Sequence, residues 1–373
     1  MTATGATLGT TRPSPLREFG SSIATIMVKE LRSRMRGRRA FVVLTIYLAL
    51  LALISYGAYL IVAPNAQAGF GGFGGQANAS GIIGQTIFSL LSIFQLILVC
   101  FIAPGFTAGA ISLEREKQTL DLLVSTPMRP GAIVIGKLAA ALAFVVLMIV
   151  AAVPITAIVL MYGGASIDDI VRQQLVLLST AVALGAIGLF FSALVKRTQA
   201  ATVLTYITML GLTVGTIMLF GFWTLLVNQG DGGFAVGPPK RAPEQLLYLN
   251  PGVAMLDVVG NTEPGGFGGI NQLLSQLRGD TPQFGGGGVE CLGNVCRPVD
   301  QFGNAIDQPL DTGSGYWWPR IAISSVAAAV LLTLASTRLV VPAGMRWAMR
   351  RRSSRPAAPA DAPAIEELGE VEQ

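Results

Sequence analysis

The sequence predicts an all-α polytopic membrane protein with six transmembrane helices, an N-terminal interfacial amphipathic helix, and a large extracytoplasmic loop between helices five and six. Two observations predict this fold class. Apolar residues make up 52% of the chain and charged residues only 13%, whereas soluble domains usually contain about 25% charged residues. Six apolar stretches are long enough to cross the hydrocarbon core of a bilayer, which takes roughly 20 residues. Backbone groups cannot stay unpaired in lipid, so each stretch is predicted to be a helix.

The predicted spans set the domain organisation. They are Ala40–Val62, Ile82–Ile111, Leu138–Met161, Val171–Val195, Ala201–Val227 and Pro319–Val341. We expect a cytoplasmic N-terminus over residues 1–39, helices one to five over 40–227, a Gly/Pro-rich extracytoplasmic loop over 228–318, helix six over 319–341, and a disordered cytoplasmic tail over 342–373. Proline removes a backbone hydrogen bond inside a helix, so Pro104 and Pro154 are expected to kink the second and third spans.

The residues before the first span predict an amphipathic helix over Glu18–Arg39. Its apolar face would carry Ile23, Ile26, Met27, Leu31 and Met35, and its opposite face would carry Lys29, Arg32, Arg36 and Arg39. Such a helix lies in the headgroup plane with its basic face towards anionic lipid or a partner. The alternative is a basic flank that only sets the topology.

The distribution of Lys and Arg predicts the orientation. Of the 26 basic residues, 20 fall on the side that holds both termini and the polar segment 112–137. Cytoplasmic loops carry an excess of Lys and Arg, so we expect a multi-pass protein of the cytoplasmic (plasma) membrane with both termini in the cytoplasm. The excess is juxtamembrane and no nucleic-acid-binding module is present, so we expect no nucleic-acid partner.

A catalytic role finds no support in the sequence. The chain contains no histidine, the commonest general base and metal ligand, and it shows no pairing of a nucleophile with a base. The stretch from Gly131 to Leu138 (GAIVIGKL) nearly matches a nucleotide-binding P-loop, but that loop requires Ser or Thr where Leu138 stands. We therefore interpret Lys137 as an anchor for the cytoplasmic end of the third span, and we expect this chain to bind no cofactor or metal.

Two cysteines, Cys291 and Cys296, lie in the large predicted outer loop. Outside the cytoplasm such a pair can form a disulfide, and two thiols without histidine leave a tetrahedral metal ion short of ligands. We therefore predict a small disulfide loop.

The interior of the six predicted spans contains no Asp or Glu. Proton- and sodium-coupled carriers generally need such groups, so a secondary carrier is disfavoured. Two spans do carry neutral polar stripes. These are Gln85, Ser89, Ser92 and Gln95 on the second span, and Thr202, Thr205, Tyr206, Thr213 and Thr216, together with Met209, on the fifth. Helix–helix packing through hydroxyls and amides explains such stripes, and a substrate path is the alternative.

The polar segment 112–137 (SLEREKQTLDLLVSTPMRPGAIVIGK) is the most informative part of the chain. Its residues resemble the pattern ERE-x-x-T-L-[DE]-x-L-L-x-[ST]-P, which follows the second transmembrane helix in permease subunits of ABC-2-type transporters. The residues that match the pattern are Glu114, Arg115, Glu116, Thr119, Leu120, Asp121, Leu123, Ser125 and Pro127. Glu114–Val124 fits a short amphipathic helix that Pro127 would end.

The resemblance implies a function. In the family this helix docks into a groove of a separate ATPase subunit, so the matching residues are candidates for ATPase coupling, with ATP and Mg on the partner. It also implies six helices per protomer in a homo- or heterodimer, second and fifth spans that face a pathway at the dimer centre, and a short helix pair over Leu246–Val259 at the outer surface. Export is the expected direction. The alternatives are a non-transporting membrane anchor or scaffold and, less favoured, a secondary carrier.

Overall fold

The computed structural model describes residues 15–35, 38–68, 76–119, 130–228, 244–260, 289–292, 295–298 and 317–340. Within these ranges, six helices are long and apolar enough to cross a membrane. This confirms the all-α polytopic fold class.

The elements are numbered here in chain order. The helices are α1 (Pro15–Met35), α2 (Arg38–Ala68), α3 (Gln76–Thr107), α4 (Ser112–Glu116), α5 (Pro130–Tyr162), α6 (Ile167–Leu194), α7 (Thr198–Leu210), α8 (Thr216–Asn228), α9 (Pro251–Gly260) and α10 (Trp317–Val340). A π-helical turn, Gly211–Gly215, joins α7 to α8 into one span, and a 3-10 turn, Glu244–Leu247, precedes α9. Strands β1 (Val289–Leu292) and β2 (Val295–Pro298) form a hairpin.

Helix α6 is the centre of the bundle and contacts α3, α5, α7 and α10. In its most apolar stretch 67% of residues are buried, against 11% in α2 and 17% in α7–α8. Glycines allow the close approach of its neighbours. A Cβ on Gly185 would lie 2.9 Å from Leu142 Cδ2 of α5, and one on Gly188 would collide with Thr107 of α3. The absence of side chains at these positions therefore sets the spacing of three spans.

One end of the bundle, here called the basic end, is where α2 and α5 begin and where α3, α6 and α10 end. The structure extends the third span into this end. The sequence predicted that the span starts at Leu138, whereas α5 starts at Pro130, so Lys137 lies inside the helix. The prediction was wrong here because it treated a lysine as a boundary, and the structure gives this lysine ionic partners instead.

The fifth span contains a feature that hydropathy did not predict, the π-helical turn between α7 and α8. A π turn frees backbone carbonyls from the ordinary helical ladder. The fully buried Asn250 satisfies part of this need, because its Nδ2 donates to Thr213 O (2.8 Å) and to Thr216 Oγ1 (2.7 Å). Its Oδ1 accepts from the backbone N–H groups of Gly252 (2.8 Å) and Val253 (3.2 Å) and so caps α9.

Helix α9 and the 3-10 turn occupy the segment where a short helix pair was expected, Leu246–Val259. Helix α9 is almost wholly buried. Its Asp257 also accepts hydrogen bonds from the backbone N–H groups of Trp317 (2.8 Å) and Trp318 (2.9 Å), at the start of α10. A carboxylate at a helix N-terminus is stabilised by the helix dipole. Helix α9 is thus bound to both the fifth and the sixth span.

The hairpin β1–β2 lies in the segment predicted as the outer loop. Its register places Cys291 directly opposite Cys296. Directly opposed residues of an antiparallel pair have Cα atoms about 4.5–5.5 Å apart, which is within the range that a disulfide requires. The bond itself stays a prediction.

Candidate functional site

The short helix α4 follows α3 at the basic end and carries the charged triplet Glu114, Arg115 and Glu116. The buried Ser192 of α6 fixes its start, since the Ser192 hydroxyl accepts from the backbone N–H groups of Ile111 (2.8 Å) and Ser112 (2.9 Å). These two N–H groups would otherwise be unsatisfied at the start of the helix. Helix α4 is therefore bound to the end of α6 independently of its charged side chains.

Each charged residue of the triplet has a partner on a different element. Glu114 Oε1 accepts from Lys137 Nζ of α5 (2.6 Å), and the Arg115 guanidinium donates to the carbonyl of Ala193 at the end of α6 (3.2 Å). Glu116 Oε1 accepts from the backbone N–H of Thr198, the first residue of α7 (2.7 Å).

The order acid, base, acid matches the electrostatics of these helix ends. A cation is stabilised at the C-terminus of a helix and an anion at the N-terminus. Arg115 meets the end of α6, and Glu116 meets the start of α7 where a capping acceptor is needed. The sequence-based interpretation assigned all three residues to the ATPase. In the structure each of them already binds within the chain.

Lys137 is the most buried charged residue at this end, with 3% of its surface exposed. Its ammonium forms ion pairs with Glu114 Oε1 (2.6 Å) and with Glu30 Oε1 of α1 (2.7 Å). The interpretation of Lys137 as an interfacial anchor is therefore wrong, since an anchoring lysine extends its ammonium towards water. The neighbouring Gly136 allows α1 to approach, because a Cβ there would lie 3.0 Å from Ile26 Cβ and Cγ2. The Gly-Lys step that resembled a P-loop is thus a helix-packing site.

The predicted helix Glu114–Val124 ends early. Gln118 has a φ of 58°, and two backbone bonds, Thr119 N to Glu114 O (2.9 Å) and Gln118 N to Arg115 O (3.1 Å), form a Schellman cap after Glu116. The prediction of one continuous helix was wrong because Gln118 adopts a left-handed conformation and the Schellman cap around it ends the helix. Gln118 and Thr119 are exposed. The other predicted coupling residues lie outside the described residues: Leu120, Asp121, Leu123, Ser125 and Pro127.

Helix α1 packs along α5. Ile26 is buried, and Ile23, Met27 and Leu31 are half-buried, while Lys29 and Arg32 are exposed. The two faces agree with the amphipathic pattern, but the apolar face contacts the protein's own third span. The side chains of Met35, Arg36 and Arg39 lie outside the described part of the chain.

The polar stripe of α3 is buried inside the protomer. Its members Gln85, Ser89, Ser92 and Gln95 are at most 4% exposed. The two serine hydroxyls donate to carbonyls of their own helix, Gln85 O and Phe88 O, and Gln95 Oε1 accepts from Gln173 Nε2 of α6 (3.2 Å). Burial favours the packing interpretation for this stripe, and a pathway role stays a prediction.

The stripe of the fifth span is less buried. Thr205 and Met209 are buried, while Thr202, Tyr206, Thr213 and Thr216 are half-buried. The Tyr206 hydroxyl donates to the carbonyl of Phe101 on α3 (2.8 Å), and Asn250 occupies the acceptors at Thr213 and Thr216. The Tyr206 bond joins the fifth span to α3 through a backbone carbonyl and not through a member of the α3 stripe.

Several polar residues of the structure escaped sequence reasoning: Glu30, Gln173, Asn250 and Asp257. Adjacent glutamines inside an apolar run and the Asn-Pro step before α9 were available as signals. The partners of these residues could not be predicted from the sequence, because each partner lies more than 30 residues away along the chain.

Six spans, of which the buried α6 is the central one, define a multi-pass membrane protein with no extended soluble domain among the described residues. A sequence model for the ABC-2 family transporter protein matches residues 24–340. This is most of the chain, and the chain therefore belongs to that family, as the polar segment indicated. It is a permease subunit of an ABC transporter, and membership implies association with an ABC ATPase. Members are membrane subunits and not ATPases. Among curated proteins, the comparison found none that matches this chain.

Proposed function

We propose that this chain is the permease subunit of an ATP-driven exporter, and that movement of the ATPase reaches the membrane through α4 and the residues that follow it. The proposal includes a dimer of permease subunits, ATP and Mg bound by the partner, and both termini in the cytoplasm. One observation carries it. The triplet Glu114–Glu116 is bonded to the start of α5, the end of α6 and the start of α7. A displacement of α4 must therefore move or strain three spans.

The contacts divide the coupling residues into two groups. The triplet transmits force inside the chain, while the exposed surface beside it would meet the ATPase. That surface begins with Leu113, which is 43% exposed, and continues through the exposed Lys117, Gln118 and Thr119. An apolar side chain beside polar ones is the composition expected of a protein contact.

Glu116→Lys tests this proposal. The substitution replaces the acceptor at the N-terminus of α7 with a charge that the helix dipole opposes. We expect membrane insertion and co-purification of the ATPase to persist. We also expect the permease to lose its effect on the partner's rate of ATP hydrolysis in proteoliposomes. Asp168→Lys is the matched control, because Asp168 is an exposed acid in the first turn of α6, at the opposite end of that helix.

Three outcomes would contradict the proposal. Full coupling in Glu116→Lys would remove α4 from the transmission path. Purification from native membranes without any ATPase would favour the scaffold. Uptake that follows an ion gradient with no nucleotide present would identify a secondary carrier.

A further inference from the structure

The cluster of Lys137 with Glu30 and Glu114 joins three elements that are separate in sequence. Glu30 lies on α1, Glu114 on α4 and Lys137 on α5, and one ammonium nitrogen contacts both carboxylates. An ammonium group has three donors in a compact head, so it can bridge two acceptors that approach from different directions.

We propose that Lys137 is the positioning residue that makes α1, α4 and the start of α5 move as one body, so that the interfacial helix forms part of the coupling apparatus. The inference rests on the proposed function for the origin of the force. The clamp itself rests on the geometry of the three side chains.

Lys137 also neutralises the repulsion between the carboxylates of Glu30 and Glu114. Glu30 Oε1 and Glu114 Oε1 both bind the same nitrogen, so they can be no farther apart than the two ion-pair distances combined. Two carboxylates at that separation repel each other unless a cation lies between them. Removal of the ammonium therefore turns an attraction between α1 and α4 into a repulsion. The side chain of Lys137 is only 4% exposed, and those of Glu30 and Glu114 are 21% and 30% exposed, so water screens this change in part.

The two helices that Lys137 joins to α5 differ in their other contacts. Helix α4 stays bound to α6 and α7 through Ser192, Arg115 and Glu116. Helix α1 keeps its packing along α5, as in the apolar contact of Ile26 with Gly136, and apolar contacts fix direction less sharply than an ion pair does. Loss of the clamp should therefore uncouple α1 from α5 without detaching α4 from the bundle.

The test measures the distance between α1 and α5 in the assembled transporter. Spin labels on unnatural amino acids replace the exposed Val28 of α1 and Val150 of α5, which avoids the native cysteines. Distances are recorded without nucleotide, with ATP and Mg, and with ADP–vanadate. We expect one narrow distance population, the same in all three states, in the otherwise wild-type protein. We expect Lys137→Met to lose this single population and to show distances that depend on nucleotide.

Conservative and matched variants separate positioning from general stability. Lys137→Arg keeps the charge and can donate to both carboxylates, so it should restore the single population and the permease effect on ATP hydrolysis. Glu30→Gln should broaden the distance, whereas Glu114→Gln should leave it narrow, because only Glu30 joins α1 to Lys137. Lys196→Met is the control, since Lys196 is exposed at the same end of the bundle.

The proposal is overturned if Lys137→Met keeps the wild-type distance in every state, or if the wild-type distance itself changes with nucleotide. Should Lys137→Met fail to assemble, the comparison of Glu30→Gln with Glu114→Gln still decides, because equal distances in the two variants would refute the clamp. The nucleotide-free measurement does not require an ATPase. A failure of the clamp is therefore distinguishable from a failure of the proposed function, which co-purification of the ATPase reports.

Discussion

Asn250 joins the π turn of the fifth span to the start of α9, so its substitution is expected to lower the stability of the protein. It is fully buried and forms four hydrogen bonds, two from Nδ2 to the π turn and two to Oδ1 from the first turn of α9. Loss of an N-cap costs about 1 kcal/mol, and each of the two bonds to the fifth span contributes about 1 kcal/mol. Asn250→Ala should therefore lower the free energy of unfolding by about 3 kcal/mol.

Asn250→Ser separates the two contributions. Serine is a good N-cap but is too short to reach Thr213 and Thr216, so about 1 kcal/mol of the loss should be recovered. The free energy is measured by equilibrium titration with SDS in mixed micelles, followed by circular dichroism. Gln245→Ala in the exposed neighbouring turn is the control and should lie within about 0.5 kcal/mol of wild type.

Hydrogen exchange supplies a second measurement on the same variants. The freed carbonyl lies in the π turn, so amide protection at Gly211–Thr216 should fall in both variants, and protection at the start of α9 only in Asn250→Ala. Equal stability of the serine and alanine variants, or an alanine variant as stable as wild type, would refute the double role of Asn250.

Two further predictions concern the Schellman cap and the hairpin. Gln118→Gly should stabilise the end of α4 by about 1 kcal/mol, because a left-handed φ is costly for residues other than glycine. The same SDS titration measures this change. A destabilised variant would mean that the Gln118 side chain makes a stabilising interaction. Cys291 and Cys296 should resist alkylation in the unfolded, unreduced chain, so that intact mass shows one labelled cysteine before reduction and three afterwards. Three labels before reduction would contradict the disulfide.

The membrane fold was predictable because hydropathy and length are local properties. Each of the six spans needs only its own run of apolar residues to be recognised. The same reasoning failed where a charge had a distant partner. Lys137 was taken as the boundary of the third span, but it lies inside α5 because Glu30 and Glu114 neutralise it. No local pattern predicts a partner that is 107 positions away.

The charged triplet shows the same limit in another form. Its spacing identified the family, and the family model confirms that assignment. Two of its partners are about 80 residues distant, since Arg115 donates to Ala193 O and Glu116 accepts from Thr198 N. The third, Lys137, is 23 positions from Glu114. The sequence therefore indicated that these residues matter, but not that they bind helix ends within the same chain. The sequence contained a weak signal for the π turn, since two glycines flank Leu-Thr-Val inside an apolar run. Hydropathy alone cannot distinguish these glycines from glycines that only allow helices to pack closely.

The two short helices bind the fifth span at its start and near its middle, and this has a mechanical consequence. At the basic end Glu116 of α4 caps α7, and in the middle of the span Asn250, which caps α9, holds the turn between α7 and α8. In this turn Gly211 and Gly215 have no neighbouring atom of the described residues within 4 Å of an added Cβ. The fourth span, by contrast, is buried along most of its length. We therefore expect a displacement of α4 to meet close packing along α6. At the π turn we expect the two hydrogen bonds of Asn250 to resist it more than packing around the two glycines does.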